Sequence, residues 1–351
     1  MRGTLIVFAV LLSGAGCERF TVHTQNRIAF DAPIDTRVTD ITPVSPVAGP
    51  VRAVVVGTGD AAGQVAIVDV DGLILNTPFA GPMSLGENPV ALFREKLDAT
   101  EADPRVKSVV LRINSPGGGV AACVAMRRDL ERFKARSGKP VVACLLDTAT
   151  GGAYYLASAA DHVVAGPATV TGGVGVILNL FNLQDLMAQF NVLPQPIKAG
   201  ELTDIGSSAR PLKAAEKELL QSMADEFHKQ LRIDILRSRP RLNEATGAMF
   251  DGRIFTGSQA TSHGLVDQVG DLDEAIQHAA QLGCPNTTGR PAVVLYRRAN
   301  DPANSVYAVT ANVPLQGAGL LPNLPGLERS KMPTFMSVWQ PELTMEKLGG
   351  K

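Results

Sequence analysis

The chain has 351 residues, of which 45% are hydrophobic and 19% are charged. This length is enough for one large domain or two smaller ones with a sizeable buried core. The 33 Lys and Arg residues nearly balance the 34 Asp and Glu residues, so there is no broad positive field to hold a nucleic acid backbone. The composition therefore argues against nucleic acid as a partner.

The N-terminus has the pattern of an export signal. An apolar run from Leu5 to Leu12 follows a positively charged start and precedes small residues and Cys17. The run is shorter than the roughly 20 apolar residues that a membrane-spanning helix needs, so the sequence predicts a signal peptide over residues 1–17. Gly16-Cys17 is similar to the end of a bacterial lipobox, although Gly14 stands where a Leu-like residue is usual. Cys17 is thus the candidate lipidation site; a cleaved soluble form and an uncleaved anchored form are the alternatives.

The remaining cysteines give no sign of a metal site. Cys123, Cys144 and Cys284 are an odd number, and no CxxC or Cys/His spacing is typical of zinc. The five histidines form no metal motif either. The sequence predicts no metal and no other cofactor.

The pattern along the chain predicts one α/β domain. Residues 18–62 are a polar segment followed by a Pro/Gly-rich linker, residues 63–285 form the folded domain, and residues 286–351 are a C-terminal extension. Short apolar strands alternate with amphipathic helices in the domain, which favours parallel strands covered on both faces. In the extension, a strand is predicted at Ala292–Tyr296, and the apolar stretch Met332 to Trp339 is expected to pack on the core, with another subunit as the alternative.

A glycine-rich turn joins a predicted strand to a predicted helix at Asn114-Ser115-Pro116-Gly117-Gly118-Gly119. Adjacent glycines there let backbone N–H groups converge on one point, as in an oxyanion hole. Gly117 and Gly118 are therefore the candidate oxyanion donors. A phosphate cradle is the alternative, but neither GK[ST] nor GxGxxG is present.

An ordered series of motifs resembles the protease IV/signal peptide peptidase A family over about residues 65 to 285. The segments are LRINSPGG from Leu111, GGAYYLASAAD from Gly151, TVTGGVGV from Thr169, KAG from Lys198, DGRIFTG from Asp251 and GLVD from Gly264. The resemblance implies a Clp protease/crotonase-like fold, a spiral of ββα units, and an oligomeric peptidase that acts with a serine nucleophile and a lysine base. Tandem duplication occurs in some relatives, but this chain has room for one copy.

The residues at the family's catalytic positions are substituted. Aligned on Tyr154-Tyr155, the serine of the family segment A-S-G-G-Y-Y falls on Gly151, which has no nucleophile. The lysine of K-S-G-x-x-K-D falls on Thr203, and the serine that supports this lysine in many members falls on Gly173. Because a serine hydroxyl needs a neighbouring base to attack at neutral pH, the joint loss predicts a protein that does not cut.

Three functions remain open from sequence. The first is a catalytically silent envelope protein that binds extended peptide or signal peptide segments, or assembles with itself or an active paralogue. The second is an active membrane-associated endopeptidase with displaced chemistry, for which Thr150 is the substitute nucleophile; Ser115 is expected instead to make a local backbone hydrogen bond. The third, a crotonase-like acyl-CoA enzyme, is opposed by the export signal.

The protein is expected to be exported to a bacterial cell envelope and held there, facing the periplasm or the exterior, by its N-terminal lipid or anchor.

Overall fold

The structure is a computed structural model that describes residues 49–59, 63–78, 86–242, 248–285, 289–299, 301, 303–310 and 335–339. The chain separates into two compact units, Met1–Val44 and Ser45–Lys351, and every described residue belongs to the second. The predicted signal peptide and Cys17 lie outside the described residues. Among the helices that are described, none has the length and apolar character required to cross a membrane.

One large, mostly parallel sheet forms the scaffold. Its strands are β1 (Arg52–Gly57), β2 (Gln64–Asp71), β3 (Val106–Ser115), β5 (Val141–Thr150), β6 (His162–Ala165), β7 (Val170–Gly172), β8 (Ile254–Thr256), β9 (Gln268–Val269) and β10 (Ala292–Arg297). Their main order across the sheet is β1-β10-β2-β3-β5-β6-β9, and β7 pairs with both β5 and β8. Only the β1/β10 and β7/β8 pairs of this sheet are antiparallel among the described residues.

A separate two-stranded ribbon lies beside the sheet. It pairs β4 (Gly117–Gly119) with β11 (Met336–Val338) in antiparallel register. A parallel bridge between Ile74 and Gly118 joins β4 to the chain that follows β2.

Helices cover both faces of the sheet. In β3, Val109 and Leu111 contribute to one hydrophobic cluster, whereas Val110 contributes to the other. This alternation follows from the two-residue period of a strand, and it explains why the strands read as nearly continuous apolar runs. The helices are α1 (Pro89–Ala102), α2 (Val120–Ser137), α3 (Gly152–Ala157), α4 (Gln184–Gln189), α5 (Ala214–Ser238), α6 (Gly257–Ser262) and α7 (Leu272–Gly283), with a 3-10 turn at Ala248–Phe250.

The α/β architecture predicted from the sequence is confirmed, but the sheet extends past the predicted domain boundaries. Strand β1 lies in the segment assigned to the linker, and β10 lies in the segment assigned to the C-terminal extension. The two strands pair with each other, and β10 pairs in parallel with β2. The extension therefore supplies part of the sheet, because β10 covers the edge of β2 that would otherwise be open.

A buried network of charges fastens this extension to the core. Asp69 on β2 accepts hydrogen bonds from Arg112 on β3 and from Lys96 on α1, the latter at 3.3 Å. The Arg297 guanidinium lies 3.3 Å from the same carboxylate. All four side chains are at most 6% exposed, and burial lowers the pKa of Lys96 although Asp69 opposes this effect. The carboxylate on β2 thus joins α1 and β3, which follow each other in the chain, to β10, which lies far along it.

Candidate functional site

A strand-to-helix turn places Gly151 at the centre of the candidate site. Strand β5 ends at Thr150 and helix α3 begins at Gly152. Between them Gly151 has φ 54° and ψ −121°, a conformation that residues with a Cβ rarely adopt. A sharp, strained strand-to-helix turn of this kind is how serine hydrolases of other folds present their nucleophile. Because residue 151 is glycine, it has no side chain that could act as a nucleophile at this turn.

The glycine-rich turn forms one wall beside it. Gly117 has φ +101°, and its N–H donates to Ser115 Oγ at 3.1 Å, the local bond expected of Ser115. The N–H of Gly117 is therefore engaged within the turn, and Gly118 is the residue whose N–H can point into the site. A Cβ on Gly118 would collide with the Ile74 carbonyl oxygen, so only glycine allows β4 to lie this close to its neighbour.

The space between the two turns is filled by residues 335–339 in extended conformation. Within β11, Met336, Ser337 and Val338 pair with Gly119, Gly118 and Gly117 respectively. Outside that ladder, Val120 N–H donates to Phe335 O and Trp339 N–H donates to Pro116 O, each at 3.0 Å. On its other edge, Met336 exchanges two hydrogen bonds with Ile177, at 2.8 and 2.9 Å. Residues 335–339 thus lie between the backbone of Gly117–Val120 on one side and the backbone of Ile177 on the other. We call the space between these two walls the groove.

The register of this pairing decides which peptide unit faces the turn at Gly151. We call this turn, Thr150 to Gly152, the nucleophile turn, because the family's serine is predicted to fall on Gly151. Hydrogen-bonded and non-hydrogen-bonded pairs alternate along an antiparallel ladder, and the outer bonds of Phe335 and Trp339 make Ser337/Gly118 a hydrogen-bonded pair. The Ser337 carbonyl therefore points to the Gly118 N–H, the predicted oxyanion donor. A Cβ placed on Gly151 would lie 2.5 Å from Ser337 O and 2.7 Å from its carbonyl carbon. The peptide unit of Ser337 and Val338 lies where a scissile bond would face an attacking side chain.

Gly173 is a second glycine that lies close to the segment. It has φ +62°, and a Cβ there would lie 3.1 Å from the Cβ of Trp339 and 3.3 Å from that of Thr150. Gly173, Thr150 and Gly151 therefore meet below residues 335–339. Gly151 and Gly173, the two glycines at predicted catalytic positions, thus both lie against the segment, as Gly117 of the glycine-rich turn also does.

Thr203 does not join this group. It is exposed, and its hydroxyl donates to the carbonyls of Ala199 and Gly200 within its own turn, both at 2.9 Å. The turn belongs to an arm, residues 177–213, that carries several exposed apolar side chains. Within the described part of the chain, no recorded contact links Thr203 to Gly151 or to Thr150.

Thr150 and Cys123 are both buried beside the Gly151 turn. Thr150 is fully buried, and its hydroxyl donates to Pro116 O at 3.1 Å. Cys123 lies under Gly152, and burial raises the pKa of its thiol to about 12, so the thiol stays protonated and unreactive. Across the described ranges, no group of three or more His, Cys, Asp or Glu side chains converges to hold a metal ion.

The GLVD motif, Gly264 to Asp267, holds helix α3 in place through a hydrogen bond. Tyr154 OH donates to Leu265 O at 2.9 Å. Asp267 accepts two hydrogen bonds from Arg239, at 2.7 and 2.8 Å, and one from Val163 N–H at 2.8 Å. The motif thus supports the nucleophile turn without touching the groove.

Asp267 is expected to make stability depend on acid pH. Burial acts to raise its pKa, but Arg239 and Val163 N–H outweigh burial and hold the pKa below its usual range. The group therefore stabilises the fold above its unfolded pKa of about 3.9 and loses that contribution as the pH falls below it. Asp267→Asn should cost about 1.5–3 kcal/mol at pH 7 and flatten the acid limb of a urea-unfolding series. The control is Asp251→Asn, whose pair with Arg253 is exposed; an equal loss in both variants would contradict the assignment.

A groove that holds extended main chain across a strained strand-to-helix turn defines a peptidase-type peptide site on an α/β fold. Comparison with known proteins agrees. The family model described as Peptidase family S49 matches residues 133–283. Protease 4 of Salmonella typhi is 30% identical over 223 residues, covering 64% of this chain and 35% of that protein. A protein of Methanocaldococcus jannaschii that is named as a protease is 35% identical over 200 residues, covering 57% of this chain and 63% of that protein.

These matches support the protease IV/signal peptide peptidase A family that the motifs predict. It spans only about a third of the Salmonella protein's length and less than two thirds of the archaeal one. Among solved structures, a mutant of a membrane-bound stomatin-specific protease aligns with a TM-score of 0.40 and 14% identity, covering 62% of this chain and 84% of that one. Gly151 and Thr203 fall inside the range matched by the family model, whereas residues 335–339 fall outside it.

Sequence reasoning did not place residues 335–339 in the site. It predicted that Met332 to Trp339 packs on the core, and Phe335 does pack there, edge-to-face with Phe227 at 5.1 Å between ring centroids. The available signal was the β-prone composition of Phe335–Trp339. That signal indicates a strand but not its partner.

Proposed function

We propose that this protein is a catalytically silent family member that binds extended peptide segments, including signal peptides or other exported polypeptides. One observation carries the proposal: at the nucleophile turn, Gly151 presents bare backbone to an extended chain seated across it. Hydrolysis of a peptide needs an attacking group at this point and a base beside it. Neither is found at the turn, while the groove that aligns a peptide is complete.

Main-chain hydrogen bonding supports the binding half of the proposal. Residues 335–339 bond to Pro116 and Val120 on one side and to Ile177 on the other. Strand addition of this kind gains affinity from the backbone and selectivity from the pockets for alternate side chains. The groove is therefore suited to extended segments whose backbone can add a strand to its walls.

Displaced chemistry is the weaker alternative. An active endopeptidase would need Thr150 as its nucleophile, but that hydroxyl is buried and donates to Pro116 O. The Thr203 hydroxyl is engaged within its own turn. No observation favours the acyl-CoA reading.

The proposed location and assembly of the protein rest on its sequence. The protein is exported to the bacterial envelope and held there by lipid on Cys17 or by an N-terminal anchor. It assembles with further copies of itself or with a paralogue. The exposed apolar side chains of the arm, residues 177–213, are surface that such an assembly would cover: Ile177, Phe181, Leu186, Phe190, Val192, Leu193, Ile197 and Leu202.

The decisive experiment measures cleavage and binding on the same purified chain. A quenched fluorogenic peptide library should show no turnover above buffer, whereas an active S49 peptidase cleaves it under the same conditions. A labelled extended peptide in excess should bind by fluorescence anisotropy, because it can displace residues 335–339 from the walls that they hold. Turnover that survives repurification and disappears in Thr150→Ala would overturn the silent assignment. Turnover gained by the triple variant Gly151→Ser, Gly173→Ser, Thr203→Lys would show that the groove still aligns peptides.

A further inference from the structure

The segment Phe335–Trp339 makes the contacts that a bound peptide would make. Its main chain bonds to both walls of the groove, and its Ser337 carbonyl points to the Gly118 N–H beside Gly151. An external peptide cannot use these walls while the segment holds them. The groove of the native chain is therefore already occupied.

Glycine at position 151, together with Gly117 on the wall, permits this occupation. A side chain at Gly151 would meet backbone atoms of Ser337 and Val338 between 2.5 and 2.9 Å away. Backbone atoms within a ladder cannot turn aside as the end of a flexible side chain can. A serine at this position and the segment as seated are mutually exclusive.

The side chains of the segment show what each position of the groove accepts. Ser337 is fully buried, and within the described residues its hydroxyl has no hydrogen-bond partner. Its pocket is thus small and offers no polar contact. Phe335 packs edge-to-face on Phe227, and Trp339 lies over Gly173. The segment therefore places a small buried residue, Ser337, between two aromatic residues on alternate positions.

We propose that Phe335–Trp339 is an intramolecular competitor that occupies the peptide groove, and that the groove selects extended peptides with a small central residue between two aromatic ones. This rests on the proposed peptide-binding function. Because the segment is covalently joined to the domain, an added peptide competes against an effective concentration on the order of millimolar. The protein binds other peptides only when the segment leaves.

The protein carries its own probe for this step. Trp339 is the single tryptophan of the chain, so the intrinsic fluorescence of the full chain reports on the segment alone. Ser337→Phe puts a large ring in the small pocket and should expel the segment. Met336→Phe is the matched control, because Met336 is only partly buried and bonds to Ile177 through its main chain.

Two measurements are made on the wild type and both variants. In Ser337→Phe, Trp339 emission should shift to the red and become more accessible to acrylamide, while Met336→Phe remains like the wild type. A labelled peptide of residues 334–340 with Phe in place of tryptophan should bind Ser337→Phe at least about tenfold more tightly than either other protein. Ser337→Ala, which removes the unpartnered hydroxyl, should protect Trp339 further.

Each contrary result has its own meaning. Equal Trp339 accessibility in all the proteins overturns the seating of the segment, whether or not peptide binds. A red shift in Ser337→Phe with unchanged peptide affinity overturns the competition. A red shift with no peptide binding to any of them removes the proposed function and the competitor role with it. Protection of Trp339 that is lost on dilution shows that a second copy donates the segment, which overturns an intramolecular competitor.

Discussion

In Gly151→Ser, the segment Phe335–Trp339 is expected to leave the groove. The new Cβ would lie 2.5 Å from Ser337 O. Backbone hydrogen bonds hold both position 151 and residues 335–339 in place, so neither can move aside while the segment stays seated. The backbone at φ 54° adds strain on the order of 1–3 kcal/mol for a residue with a Cβ. Trp339 emission should therefore shift to the red, and the melting temperature should fall.

The control for this variant is Gly138→Ser. Gly138 ends helix α2 with φ +64°, and a Cβ there meets nothing within 4 Å. This variant carries backbone strain without a collision, so its melting temperature should fall while Trp339 emission stays unchanged. A Gly151→Ser protein in which Trp339 remains as protected as in the wild type would contradict the steric argument.

In Asp69→Ala, stability should fall by about 3–5 kcal/mol, because removing one partner of a buried ion pair leaves its counter-charges uncompensated. Here Lys96, Arg112 and Arg297 would lose their shared carboxylate, and each is at most 3% exposed. The loss should appear as a lower urea midpoint in equilibrium unfolding. It should also loosen strand β10, whose Arg297 is tied to β2 through Asp69.

Asp98→Ala is the matched control for that loss. Asp98 pairs with Arg94 one turn away on the surface of α1, where the two side chains are 50% and 40% exposed. Such exposed pairs contribute about 0–1 kcal/mol. If Asp69→Ala proved no more destabilising than Asp98→Ala, the buried network would not be what fastens the C-terminal extension.

The peptide groove has a consequence for restoring catalysis. Returning serine to position 151 supplies the nucleophile and at the same time removes the segment that blocks substrate. Thr203 is the harder position, since it lies on an exposed turn and makes no recorded contact with Gly151 within the described residues. A lysine at position 203 would need its turn to approach Gly151, although Ile177 at the start of the same arm already borders the groove. Failure of the triple variant to cut would therefore not count against the peptide groove.

The sequence by itself indicated the family and the parallel α/β core, and it predicted which catalytic positions are substituted. These follow from local information: the period of apolar residues sets the strands and helices, and the motif spacing fixes Gly151, Gly173 and Thr203 in order along the chain. It also determined that Gly117 and Gly118 form a turn at the end of β3, because adjacent glycines permit backbone conformations that other residues avoid.

Only the tertiary structure decided what occupies the site. Strand β11 lies more than 200 residues from β4 in sequence, and a strand's side-chain pattern shows which face is buried but not which edge it joins. The same holds for β10 and the Asp69 network, whose partners are far apart along the chain. The feature on which the proposed function most depends, a segment of the chain lying across Gly151, is a long-range pairing of backbone that no local pattern encodes.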